Sequence, residues 1–123
     1  MANQWPDFAT ITKLKTIRSV IIDEGAGISE RTRGDIVFDV DSSARAGGGF
    51  VHQCYLSVVK AGYRYPLLRV VQDGIDYPVT VVADVFPQGA AAGNEEELRK
   101  NLGLVFRSDV TTKVVVQLME MVS

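Results

Sequence analysis

The sequence predicts an α+β domain: an N-terminal helix, a four-stranded antiparallel sheet in meander order, and two C-terminal helices packed on one face of that sheet. Three observations predict it. Apolar residues recur at three- and four-residue spacing near both ends of the chain. They alternate with polar residues through the middle. The gaps between the alternating runs are too short for crossover connections.

The first helix is read from PDFATITKLKTIRSVIIDEGAG. Pro6 suits a first helical turn, and Asp7 suits the positive end of its dipole. Phe8, Ile11, Leu14, Ile17 and Ile21 keep the helical spacing, with lysines and Arg18 between them. Gly25 or Gly27 ends the helix, or it runs on through ISERT, where Ile28 and Thr32 keep the spacing.

RGDIVFDVDSS is the first strand, with Ile36, Phe38 and Val40 on its apolar face. The second is FVHQCYLSVV, in which Phe50, His52, Cys54, Leu56 and Val58 point one way. AGYRYP reads as a turn, YPLLRVVQ as strand three and PVTVVADVF as strand four, with Asp73 and Gly74 at the turn between them. Pro66 is expected at the start of strand three, where a missing N–H is tolerated.

PQGAAAGN reads as a linker. Asn94 and Glu97 then resemble a capping box, and Leu98, Leu102, Val105 and Phe106 form a helical stripe. Ser108 or Asp109 caps a last helix with Val110, Val114, Leu118 and Met121 on one face. The β-branched run Val114 to Val116 leaves a fifth strand as the alternative for that segment.

The helix-facing side of the sheet is expected to carry the two apolar rows already named, then Leu68 and Val70, then Val79, Val81, Ala83 and Val85. The opposite face then carries Asp39, Tyr55, Ser57, Arg69, Thr80 and Asp84 among Val37, Leu67, Val71 and Val82. A plain solvated face would be more uniformly polar. The mixture points to a subunit interface or a ligand surface, unless the first helix covers it. Arg69 between Asp39 and Asp84 reads as an ion pair rather than as a pair of acid–base carboxylates. Tyr63, Tyr65 and Tyr77 are read as a cluster at the turns joining strands two, three and four; with Arg64 and Arg69 it would suit an acidic partner.

The chain has 123 residues, 46% hydrophobic and 23% charged, which fits one domain with one core. A net charge of -2 and the lack of a dense basic run argue against nucleic acid as a partner. The single cysteine excludes an internal disulfide. No long apolar run predicts a membrane span, and MANQWPDFATITK lacks the pattern of a signal peptide, so a soluble cytoplasmic protein is expected.

His52 and Cys54 share a strand face, but a structural zinc site needs about four ligands and the chain has no other His or Cys. Any Ser/His/Asp triad would have to use His52. No GxGxxG, GK[ST], GxSxG, HExxH or EF-hand pattern occurs. The expectation is therefore no metal, no cofactor and no catalytic residue. Cys54 is read as a small hydrophobe and His52 as a hydrogen-bonded strand residue.

The second half, RYPLLRVVQDGIDYPVTVVADVF followed by NEEELRKNLGLVFRSDVTTKVVVQLMEMV, resembles small uncharacterised bacterial proteins encoded by mobile integron gene cassettes. The likeness lies in the pattern of elements over the last half of the chain. It implies an accessory adaptive role and no particular activity or functional residue.

Function is expected to be non-enzymatic: binding, or self-association into a homodimer through the outer sheet face. The candidate residues are Tyr55, Leu67, Arg69, Val71, Asp39, Asp84, Tyr63 and Tyr65. A small-molecule-binding protein or minor enzyme, with a pocket lined by Tyr55, Arg69, Asp39 and Asp84 that suits an anionic ligand, is the second expectation. A toxin-neutralising protein is the third.

Overall fold

The computed structural model describes residues 4–8 and 15–122. Their order is α1 (Ile17–Gly25), α2 (Ile28–Arg31), β1 (Ile36–Ala44), β2 (Phe50–Val58), β3 (Tyr63–Gln72), β4 (Val79–Ala83), β5 (Phe86–Ala92), α3 (Glu95–Phe106) and α4 (Asp109–Glu120). The α+β class and the meander hold, but the sheet has five strands in the order β1-β2-β3-β4-β5. Every neighbouring pair is antiparallel.

The extra strand lies where a linker was expected. PQGAAA has none of the branched or aromatic residues that favour strands. β5 forms nonetheless as an edge strand, paired with β4 across a tight turn at Asp84 and Val85 that sets Ala83 opposite Phe86. An edge position tolerates Pro87. Gly89 has φ +88, and a Cβ there would press on Thr80 Cγ2 at 2.6 Å, so glycine suits this position for both reasons. Asn101 Nδ2 of α3 donates to Ala91 O at 3.1 Å, tying the edge strand to the helix above it.

β3 starts earlier than the sequence suggests. Val59–Ala61 form a single 3-10 turn closed by Gly62 at φ 62, and Tyr63, Arg64 and Tyr65 already belong to the strand. Pro66 sits inside β3 at a bulge, where the pairing passes from Cys54↔Leu68 to Tyr55↔Pro66. Leu67 is the extra residue, and the bulge spares the ladder a missing donor. Leu67 therefore leaves the outer face and packs against both halves of the core.

All the described helices pack on one face of the sheet. Ile17, Val20 and Ile21 of α1 and Leu98, Leu102 and Val105 of α3 bury against Val40, Cys54, Leu68, Val70, Val79 and Val81. Leu118 of α4 buries against Ile36, Leu56 and Val58, with Val114, Val115 and Met119 around it. The last segment is thus a helix, and its inward face is turned from the expected one: Val110 and Met121 are exposed. Val85, expected in the core, is exposed in the β4–β5 turn.

Among the described residues the first helix begins at Ile17. Thr16 is its N-cap, its side chain accepting from Ser19 N while Ser19 Oγ accepts from Thr16 N, and Phe8 is exposed. Ile11 and Leu14 lie outside the described residues. The helix ends at Gly25, and ISER forms a separate single turn, α2. In α3 the Asn94 side chain accepts from Glu97 N at 2.9 Å, while Glu97 reaches back one residue further than a capping box, to Gly93 N at 2.7 Å.

Candidate functional site

The outer face gathers some of the predicted residues and disperses others. Asp39 and Tyr55 face each other across β1 and β2. Arg64, rather than Arg69, joins them. Its guanidinium lies 3.9 Å from the centroid of the Tyr55 ring and reaches Asp41 at 3.1 Å and Asp39 at 3.8 Å. Ser57 donates to Asp39 Oδ2. The hydrogen bond to Asp41 leads the effects that raise the Arg64 pKa. These are part-exposed ion pairs, which contribute little to stability individually.

Arg69 is exposed and makes no ion pair among the described residues. Asp84 sits in the β4–β5 turn instead of beside it. Val71 stays on the outer face, half-buried, between Val51 and Thr80. The bulge turns Tyr63 and Tyr65 to the helix side, opposite Val58 and Leu56. Tyr77 lies beyond the other end of β3, so the three tyrosines form no cluster.

Cys54 is fully buried, and burial pushes its thiol up to about 12, so it is no nucleophile at neutral pH. His52 is also buried, and both ring nitrogens are bonded: Nδ1 to Ser42 Oγ at 2.7 Å and Nε2 to Gln72 Oε1 at 2.8 Å. Among the described residues no three His, Cys, Asp or Glu side chains gather as metal ligands.

A concavity lies on the helix side of the sheet. Over β1–β3 the helices leave a valley, because α1 and α3 cover one half of the sheet and α4 the other. Its volume is about 450 Å³, within the range of small-molecule sites. Phe38, Leu56 and Leu67 form the floor, and Ile28, Phe106 and Val115 the walls. The Phe38 and Phe106 rings meet edge to face at 5.6 Å. Gly25 closes one side: it is buried, and a Cβ there would overlap the Phe38 ring.

Three charged residues line this pocket: Glu24, Arg31 and Arg107. Glu24 is engaged elsewhere, accepting from Arg99 Nη1 at 2.9 Å. Arg31 and Arg107 make no ion pair among the described residues. Arg107 folds back over Gly103, where a Cβ would come within 2.8 Å of Nη1. The arrangement can hold an apolar body on the floor and a negative charge at two guanidiniums.

The sequence reading missed this site because its lining comes from both ends of the chain. Pro66 inside a strand pattern was the available signal for the bulge that moves Leu67 inward and places Arg64 outward. The two nearby glycines, 25 and 27, signalled a helix end and gave no hint of a pocket wall.

No helix among the described residues is long and apolar enough to cross a membrane. Compared with protein-family models, with curated proteins and with solved structures, the chain gives no match.

Proposed function

We propose that the protein binds a small amphipathic anion in the pocket between the helices and the sheet. The apolar part lies on Phe38, Leu56 and Leu67, and the acidic head meets Arg31 and Arg107. The observation that carries this reading is an apolar cavity of about 450 Å³ with two arginines on its lining that form no ion pair with a described carboxylate. It keeps the expectation of an anionic ligand but places the site on the opposite face of the sheet from Tyr55 and Arg69.

A series of straight-chain carboxylates tests it. Each methylene buried contributes about 0.8 kcal/mol, or roughly a fourfold gain in affinity. Thermal stabilisation is expected to rise from hexanoate through octanoate to decanoate, and to be weaker for decanol. A flat series would reject the reading.

Self-association through the outer face is the second reading. It is supported by the cross-strand pair Val51 and Val71, with Thr80 on the other side of Val71, on a face that no described helix covers. Light scattering across a wide concentration range is its test. A dimer that Val71→Lys converts to monomer would support it, and a monomer throughout would remove it.

A further inference from the structure

We propose that Ser42 and His52 form a nucleophile–base pair that hydrolyses small acyl esters, in a second cavity beside the start of α1. This site is independent of the pocket above. The cavity has a volume of about 490 Å³, and its lining includes Lys15, Arg18, Phe50 and Ile75 besides the pair itself.

For a neutral imidazole the hydrogen-bond chain selects one tautomer. Gln72 Nε2 donates to Gly74 O at 3.0 Å and to Ile75 O at 2.8 Å. Its Oε1 is therefore the atom facing His52 Nε2. A carbonyl oxygen only accepts, so Nε2 carries the ring proton and Nδ1 of the neutral ring keeps its lone pair. Ser42 Oγ accepts Arg18 Nε–H at 3.1 Å, and its own proton points to Nδ1 at 2.7 Å.

A serine nucleophile needs these relations: a hydroxyl on a basic nitrogen, and a third group holding the ring. Here the third group is a neutral glutamine, so Gln72 acts as a positioning residue. Cross-strand pairing places Ser42 opposite His52, and His52 opposite Val70 beside Gln72. Ser42 is an exposed residue on the cavity lining while His52 is buried, so the pair meets the cavity from the serine side and the base is shielded. The Phe50 ring stacks on the imidazole at 6.2 Å between centroids.

Arg18 holds a positive charge at the hydroxyl and is anchored by Nη2 donating to Val40 O at 3.0 Å. The N–H groups of Ile17 and Arg18 stand in the first turn of α1, where they have no partner within the helix. Both features suit the negative oxygen that forms in acyl transfer.

In the first step Ser42 Oγ bonds to the ester carbonyl carbon, its proton passes to Nδ1, and the carbonyl electron pair moves onto oxygen. The carbonyl then re-forms, the ester C–O bond breaks, and the departing alkoxide takes the proton from Nδ1. Water next attacks the acyl-serine, giving its proton to Nδ1. When the tetrahedral adduct collapses, that proton returns to Oγ, releasing the carboxylic acid and free Ser42.

The test uses p-nitrophenyl acetate for turnover and a fluorophosphonate for capture, in which an Oγ–P bond forms and the P–F bond breaks. One phosphonyl adduct per chain is expected, mapped to Ser42 and absent in Ser42→Ala. Ser43→Ala should label at the wild-type rate, and His52→Gln, where its circular dichroism matches wild type, at least about a hundredfold more slowly. Ser42→Ala changes an exposed position and decides alone. No adduct and no turnover on the wild type, or an adduct that survives Ser42→Ala, would overturn the proposal.

Discussion

Gly25 of α1 lies so close to the Phe38 ring of β1 that a Cβ on it would overlap the ring. The contact sets the distance between helix and sheet at one side of the apolar pocket, and Phe38 on the other side meets Phe106. Gly25→Ala is therefore expected to force the helix outward or the ring off its rotamer, at a cost of about 1–3 kcal/mol. Gly27, with nothing near its missing Cβ, should accept alanine at little cost. Urea denaturation of the two variants measures the difference.

Leu67 belongs to the core and Val71 to the outer face, although alternation from the sequence puts them together. Leu67→Ala should cost about 2–3 kcal/mol, and Leu67→Lys should abolish the cooperative transition at room temperature. Val71→Lys should leave a folded protein with a similar denaturant slope. Equal effects at the two positions would mean that the bulge at Pro66 is absent.

Arg99 joins α3 to α1. Its Nη1 donates to Asp23 at 2.8 Å and Glu24 at 2.9 Å, and its Nε to Glu95 at 2.9 Å. The hydrogen bond from Arg99 is the largest of the effects that lower the Glu95 pKa below its usual 4.5. A depressed carboxylate stabilises the fold above its unfolded pKa, and that contribution is lost as pH falls through the folded value. The melting temperature should therefore fall as pH drops below about 4.5, and Arg99→Ala should lessen that fall. Parallel melting curves of the two proteins between neutral and acid pH would contradict this.

Cys54 is enclosed by the core, and its thiol is pushed up to about 12 by burial. A disulfide reagent at neutral pH should react only as fast as the native state opens, and within seconds in denaturant. Rapid labelling of the native protein would place Cys54 near the surface.

The elements with strong period were legible in the sequence. Ile36, Phe38 and Val40 on β1, the row from His52 to Val58 on β2, and Leu98, Leu102 and Val105 on α3 all face the core as the spacing implies. β5 was not, because Pro87, Gly89 and the alanines carry no strand propensity and pair only along one edge. Period alone also could not place Arg64 and Leu67, since one inserted residue reverses which face each side chain takes. His52 was read rightly as hydrogen-bonded, but its partners Ser42 and Gln72 lie on two other strands, where only the register reveals them. The pocket arginines were invisible for a similar reason: Arg31 and Arg107 are far apart in the chain and line one valley made by tertiary packing.

The most direct test is a calorimetric titration of decanoate into the wild type and into the double variant Arg31→Glu with Arg107→Glu. The account predicts one equivalent bound by the wild type, and affinity lowered at least about tenfold when the two charges are reversed, since a charge-assisted hydrogen bond contributes about 1.5–3 kcal/mol. Val116→Trp, at an exposed position on the pocket lining, should weaken binding in the same way by filling the cavity. Decanoate that fails to bind the wild type, or binds the charge-reversed protein equally well, would contradict an anion site between the helices and the sheet.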